Sequence, residues 1–262
     1  MKVIATIQAD LDVTPLGTRS RLTDELVGVT VLRRTVQRVC LAKCLEAVYV
    51  LCPAGQRERC EALLVGGAHP TQGTGATVRP YDARPAPWGA LVQTARKWSL
   101  GGWRGGIGGT THFDEFTDVG LLSGLLGVDK ADAILSVPAA APLIDPPLIE
   151  RMIEHHRETG DDIQLTFTQA PPGLAGLVLD ASLVHQLADK SIPVGWLFSF
   201  QPDNPQKDLI FQPCCYDIPS ELRYAVGRLT ADTDRSMERL AALLREHDAP
   251  DLVTVGRWLG ER

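Results

Sequence analysis

Short runs of β-branched and aliphatic residues alternate with amphipathic segments along most of this chain of 262 residues. Val3 to Ile7 has the composition of a buried strand. From Thr30 to Cys44, Leu32, Val36 and Val39 recur at helical spacing, while Arg33, Arg34, Arg38 and Lys43 face elsewhere. Ala47 to Cys52 is a second buried strand, closed by Pro53, and Gln56 to Leu64 is a helix stopped by Gly66 and Gly67. Ile134 to Val137 is a strand followed by a turn of three alanines, Ala139 to Ala141. A helix then runs from Pro146 to Thr159. Asp145 is its N-cap, Pro146 fills the first helical position, and Gly160 ends it. Ile163 to Thr168 and Leu177 to Leu179 are further strands, and Asp234 to His247 is a helix with Met237, Leu240, Ala241 and Leu244 on one face. Alternation of this kind predicts an α/β fold, a mostly parallel central sheet covered by helices on both sides, in one domain spanning 1–262.

The balance of residue types narrows the partners. Hydrophobic residues make up 44% and charged residues 22%, as in ordinary globular proteins. A net charge of −6 gives no overall basic field, so neither nucleic acid nor an anionic membrane is an expected partner. No apolar run reaches the roughly 18 residues that span a bilayer. MKVIATIQAD leads straight into a strand without the apolar core of a signal peptide. Cys40, Cys44, Cys52 and Cys60 fall in buried-looking patterns without a CxxC pair, and a reduced, cytoplasmic protein is expected.

One segment breaks the alternation. Between about 70 and 115 the chain carries PYDARPAPW and then GGWRGGIGG, around a single short helix from Ala90 to Trp98. This Gly-rich excursion is either a surface insertion or a loop whose backbone N–H groups approach an anion. It lacks the strand-to-helix setting of a P-loop. Trp103 and Arg104, in its middle, are the candidate substrate contacts.

Other clusters carry less. His155 and His156 are adjacent on a helix, point in different directions, and belong to a solvated face. Cys40 and Cys44 have no second pair to complete a metal site and read as packed thiols. Asp114, Glu115 and Asp118 precede a helix, whose amino end stabilises carboxylates.

Three stretches together resemble a known family. VIATIQA, followed by SRL and LVGVTVLRRTVQRV, resembles the start of the nucleotidyltransferases that make CMP-activated sugars. These are the acylneuraminate and 3-deoxy-manno-octulosonate cytidylyltransferases and the related spore-coat polysaccharide proteins. ADAILSVPAAAPLIDPPLIERMIEHH resembles their central strand–turn–helix, and GRLTADTDRSMERLAALL their carboxyl-terminal VDTPEDL element. The resemblance implies a Rossmann-like, glycosyltransferase-A type fold with a nucleotide over the carboxyl ends of the first strands. It implies CTP-like and sugar or sugar-acid partners, a homodimer as one assembly, and Mg²⁺ as a cofactor bound weakly or only together with the nucleotide.

In that family a sugar hydroxyl attacks the α-phosphorus of CTP, so carboxylate-held Mg²⁺ and cationic side chains must meet the phosphate charge. By the resemblance, Gln8, Ala9, Arg19, Arg21, Ala140 and Pro142 line the nucleotide site, Arg21 and Asp232 are the catalytic pair, and Asp232 is a metal ligand. Ala140 occupies the place of the family's other metal aspartate. Asp10 stands where an arginine is usual and Glu25 near the usual lysine. On the resemblance alone, Ala140→Asp should strengthen Mg²⁺–nucleotide binding. Two readings follow. The chain is a transferase of impaired or altered activity, with Arg19, Arg21, Arg104 and Asp232 as its working groups. Alternatively it is a degenerate nucleotide-, sugar- or partner-binding domain, of the kind that stands at the front of a longer enzyme.

Overall fold

In a computed structural model of the chain, the described residues are 1–15, 17–65, 75–82, 88–98, 109–199, 203, 207–225 and 227–261. In chain order the strands are β1 (Val3–Gln8), β2 (Glu25–Leu26), β3 (Val29–Thr30), β4 (Ala47–Pro53), β5 (Ala76–Tyr81), β6 (Ala133–Pro138), β7 (Leu165–Thr168), β8 (Leu177–Asp180) and β9 (Cys215–Tyr216). The helices are α1 (Val31–Val39), α2 (Arg57–Val65), α3 (Gly89–Trp98), α4 (Val119–Asp129), α5 (Pro146–Thr159), α6 (Ala181–Asp189), α7 (Ser220–Arg223), α8 (Asp234–Glu246) and α9 (Leu252–Gly260).

Among the described residues, seven strands form one sheet in the order β5-β4-β1-β6-β8-β7-β9. β1 pairs in parallel with β4 on one side and β6 on the other, so these three strands lie side by side at the centre of the parallel half. β5 continues the parallel half beyond β4, and β8 runs antiparallel to both β6 and β7. β5 lies within 70–115, so part of the expected excursion is an edge strand of the sheet.

Successive strand residues face opposite layers. Val3, Ala5 and Ile7 pack with Val48, Val50, Leu135 and Val137 beneath α1, α5, α8 and α9. Ile4, Tyr49, Leu51 and Ile134 pack on the other face with Phe167, α4 and α6. This is the three-layer α/β/α arrangement with a mostly parallel sheet.

The cap expected of Asp145 is present, with Leu148 N donating to its carboxylate at 2.9 Å. His156 departs from the solvated face assigned to it. It is buried with Ile149, Met152 and Ile153 on α5. Its ring bridges the Thr166 hydroxyl at 2.9 Å and Asp180 at 3.1 Å. All six thiols are free. Burial pushes Cys40 up to about 11 and Cys60 up to about 12, so both stay protonated and act as packing groups. Among the described residues no helix is long and apolar enough to cross a membrane.

Candidate functional site

At the carboxyl ends of β1 and β6 lies a cavity of about 240 Å³. That is slightly below the roughly 300–1,000 Å³ usual for small-molecule sites. Gln8 ends β1, and Pro138, Ala139 and Ala140 follow from β6. Asp10 and Arg21 come from the loop after β1, Tyr81 from the end of β5, and Glu115 from the turn before α4. Arg228, Thr230 and Asp232 come from the segment leading into α8.

The alanine turn contributes through its backbone. Ala231 N donates to the Ala140 carbonyl at 2.8 Å, which sets Asp232 against the turn. Leu229 N donates to the Pro172 carbonyl at 2.7 Å, anchoring the same segment two residues earlier. Gly173, with φ +104, permits that approach, since a Cβ there would lie 2.4 Å from the Leu229 carbonyl oxygen. Thr233 then caps α8 by accepting from Ser236 N at 3.2 Å.

Three residues of the cavity wall, Glu115, Arg228 and Asp232, meet Arg96 behind it, and all four are largely hidden from solvent. Arg96 Nε lies 2.7 Å from Glu115 Oε1, and its Nη2 lies 2.5 Å from Asp232 Oδ2. Arg228 Nη2 lies 2.9 Å from Glu115 Oε2 and 3.5 Å from Asp232 Oδ2. Thr230 Oγ1 donates to Asp232 Oδ2 at 2.9 Å, and Ser236 Oγ to Oδ1 at 3.3 Å. Burial pushes the Glu115 carboxyl up against the downward pull of Arg228 and Arg96.

The remaining charges are also committed. Arg21 pairs with Asp24 at 3.1 Å and with Asp234. Asp10 Oδ1 accepts from Asp12 N at 2.9 Å, Val13 N at 3.1 Å and Gln56 Nε2 at 3.0 Å, which shapes the loop. Burial raises the Tyr81 phenol to about 12, with Asp10 and Asp118 adding to the shift.

The residues expected in the site separate into three groups. Gln8, Arg21, Ala140 and Asp232 line the cavity together. Ala9, Arg19 and Pro142 are not among its lining. Ala9 is buried with its N–H on the Leu51 carbonyl, Pro142 is buried in the turn, and the exposed Arg19 holds Asp24 bidentately. Trp103 and Arg104 lie outside the described residues.

Glu115 and Arg228 in the lining, and Arg96 paired to Glu115 and Asp232 behind it, are not among the expected residues. The sequence groups Glu115 with Asp114 and Asp118 as carboxylates stabilised by the helix that follows. Only Asp118 does that, accepting from Gly120 N and Leu121 N. The available signal was a carboxylate set in sequence between Phe113 and Phe116, whose burial would demand a cationic partner elsewhere in the chain.

Mg²⁺ takes about six oxygen ligands, one or two of them protein carboxylates. Both oxygens of Asp232 are engaged by Arg96, Thr230 and Ser236, both oxygens of Glu115 face arginines, and Ala140 offers no carboxylate. Among the described residues no group of three His, Cys, Asp or Glu could hold a metal. This donor set does not fit the ion.

Solved structures place the architecture. A cytidylyltransferase from Leptospira borgpetersenii serovar Hardjo-bovis superposes with a TM-score of 0.60 at 16% identity, covering 94% of this chain and 87% of that one. The fold is that of the cytidylyltransferases. A CMP:2-keto-3-deoxy-manno-octonic acid synthetase solved with CTP gives 0.54 at 12% identity over 94% and 99% of the two chains. A 4-diphosphocytidyl-2C-methyl-D-erythritol synthase from Anaerococcus prevotii gives 0.51 at 11% identity over 93% and 96%. No protein-family model and no curated protein matches the sequence.

Proposed function

We propose that the cavity binds a cytidine-type nucleotide, with a sugar or sugar acid as the second ligand, and that nucleotidyl transfer is impaired. The observation that carries the reading is the commitment of Asp232 to Arg96 and Arg228 beside a turn whose residue is Ala140. The nucleotide is supported by the position of the cavity over the carboxyl ends of β1 and β6, where open α/β sheets bind ligands. A cytidine base is supported by the fold shared with a synthetase solved with CTP. Efficient transfer needs charge stabilisation on the reacting phosphates. Here Arg96 and Arg228 are held by Glu115 and Asp232. That leaves Arg228 Nη1 to meet a bound phosphate but no mobile cation to follow charge as it develops, and the donor set does not fit Mg²⁺. The free thiols suit a reducing compartment, and we place the protein in the cytoplasm.

Two measurements test this. Calorimetry with CTP and CMP should show saturable binding. A pyrophosphate-release assay with CTP and common sugar acids should show a rate well below the roughly 1 per second of ordinary enzymes. Silence in the first, or turnover at that rate in the second, overturns the proposal.

A further inference from the structure

We propose that Arg228, braced from behind by the Arg96–Glu115–Asp232 ion pairs, stands in for a divalent cation, so that the cavity takes the phosphate group of its ligand without any metal ion. The proposal rests on the nucleotide reading only for its choice of probes. Two guanidiniums between two carboxylates give the same net charge as a dication between two carboxylates. The difference is that these cations are covalently held and cannot dissociate. Arginine suits the role because it stays charged when buried and presents five N–H donors in a planar fork.

Those donors are not all used. Arg228 reaches Glu115 and Asp232 through Nη2 and Thr230 through Nε, at 3.4 Å. Its Nη1 is buried and has no hydrogen-bond partner among the described residues, and its side chain is 8% exposed. Gln8 lines the same cavity, and its Nε2 is likewise buried without a partner. A buried donor left unpaired costs free energy that an acceptor recovers. Two such donors, on residues that line one cavity, suit a ligand group that only accepts, and an ionised phosphate offers several oxygens. A purely structural clamp between α3 and the 228–232 segment explains the ion pairs but leaves both donors unexplained.

The full chain is titrated calorimetrically with CTP, CMP and inorganic pyrophosphate, in EDTA and in millimolar Mg²⁺. Affinity in EDTA should lie within about threefold of that in Mg²⁺, since no ion takes part. Arg228→Gln should weaken binding about tenfold or more, the size of a lost charged hydrogen bond. Gln8→Leu leaves the ion pairs whole and guards against misfolding of the first variant; it should cost about fivefold. Binding only in Mg²⁺, or Gln8→Leu and a folded Arg228→Gln that both bind like the wild type, overturns this inference and leaves the nucleotide reading standing. Pyrophosphate binding in EDTA with CTP and CMP silent supports the inference and defeats the nucleotide reading. Silence of all three probes in both buffers overturns both.

Discussion

Asp114→Asn should flatten the acid side of the stability profile. Asp114 is 7% exposed and joins two segments. Thr111 N donates to Oδ2 at 2.7 Å, and Gly195 N lies 3.0 Å from Oδ1 and 3.1 Å from Oδ2. A single amide oxygen at the place of Oδ2 keeps both backbone donors in range, so asparagine preserves most of the geometry. Burial raises the carboxyl from 3.8 to about 6, against the pull of those N–H groups. A folded value above the unfolded one means that the fold favours the protonated form. The stabilisation is fully present below the unfolded value of 3.8 and is lost as pH rises through the folded value of about 6. The gap corresponds to about 3 kcal/mol. Urea unfolding of wild type and Asp114→Asn at steps across about pH 4 to 7 measures it. The wild type should lose about 2 kcal/mol relative to the variant over that range, the rest of the gap lying below pH 4. A constant difference, or one that moves in favour of the wild type as pH rises, refutes the assignment.

Arg96→Met should destabilise by about 3–5 kcal/mol in denaturant unfolding, because Glu115 and Asp232 are then left with Arg228 alone. The double change Arg96→Met with Glu115→Leu should recover much of that loss, and a double-mutant cycle showing simple additivity would contradict the coupling. Gly173→Ala should cost about 3 kcal/mol or more through its positive φ and the clash with Leu229, and it should weaken CMP binding in calorimetry by displacing Asp232. Asp145→Ala should cost about 1 kcal/mol in the same unfolding assay while leaving CMP binding unchanged. Ala140→Asp, expected from the resemblance to strengthen Mg²⁺–nucleotide binding, should now leave Mn²⁺ titration silent, since Asp232 remains tied to Arg96.

What the sequence made legible follows from how local each signal is. β1, β4 and β6 were readable because their residues are buried on both faces and the apolar runs are unbroken. α5 was readable because Asp145, Pro146 and Gly160 mark its ends. β5 was not, because an edge strand has weak burial and here ends in Pro80 and Tyr81. His156 had a usable signal, since it continues the spacing of Ile149, Met152 and Ile153. Gln8, Arg21 and Asp232 were reached through motif resemblance. Arg96 and Glu115 were not, because their burial depends on partners more than a hundred positions away in the case of Asp232 and Arg228. No local periodicity encodes that meeting.

The cavity wall draws on residues near 10, 21, 81, 115, 140 and 230, so no single continuous stretch can build it. β1 gains its second neighbour only when Val3 meets Ala133. Closing loops of that length is slow, because the chain loses its freedom before the contacts form. Arg96 and Glu115 stay hydrated until Arg228 and Asp232 arrive, since burying either ion alone is far too costly. The pocket is therefore expected among the last features to form as the molecule folds, which pulse-labelling hydrogen exchange of the Ala231 amide during refolding would check. A ligand that recognises it selects finished molecules from partly folded ones, and by mass action it lengthens the time they remain finished.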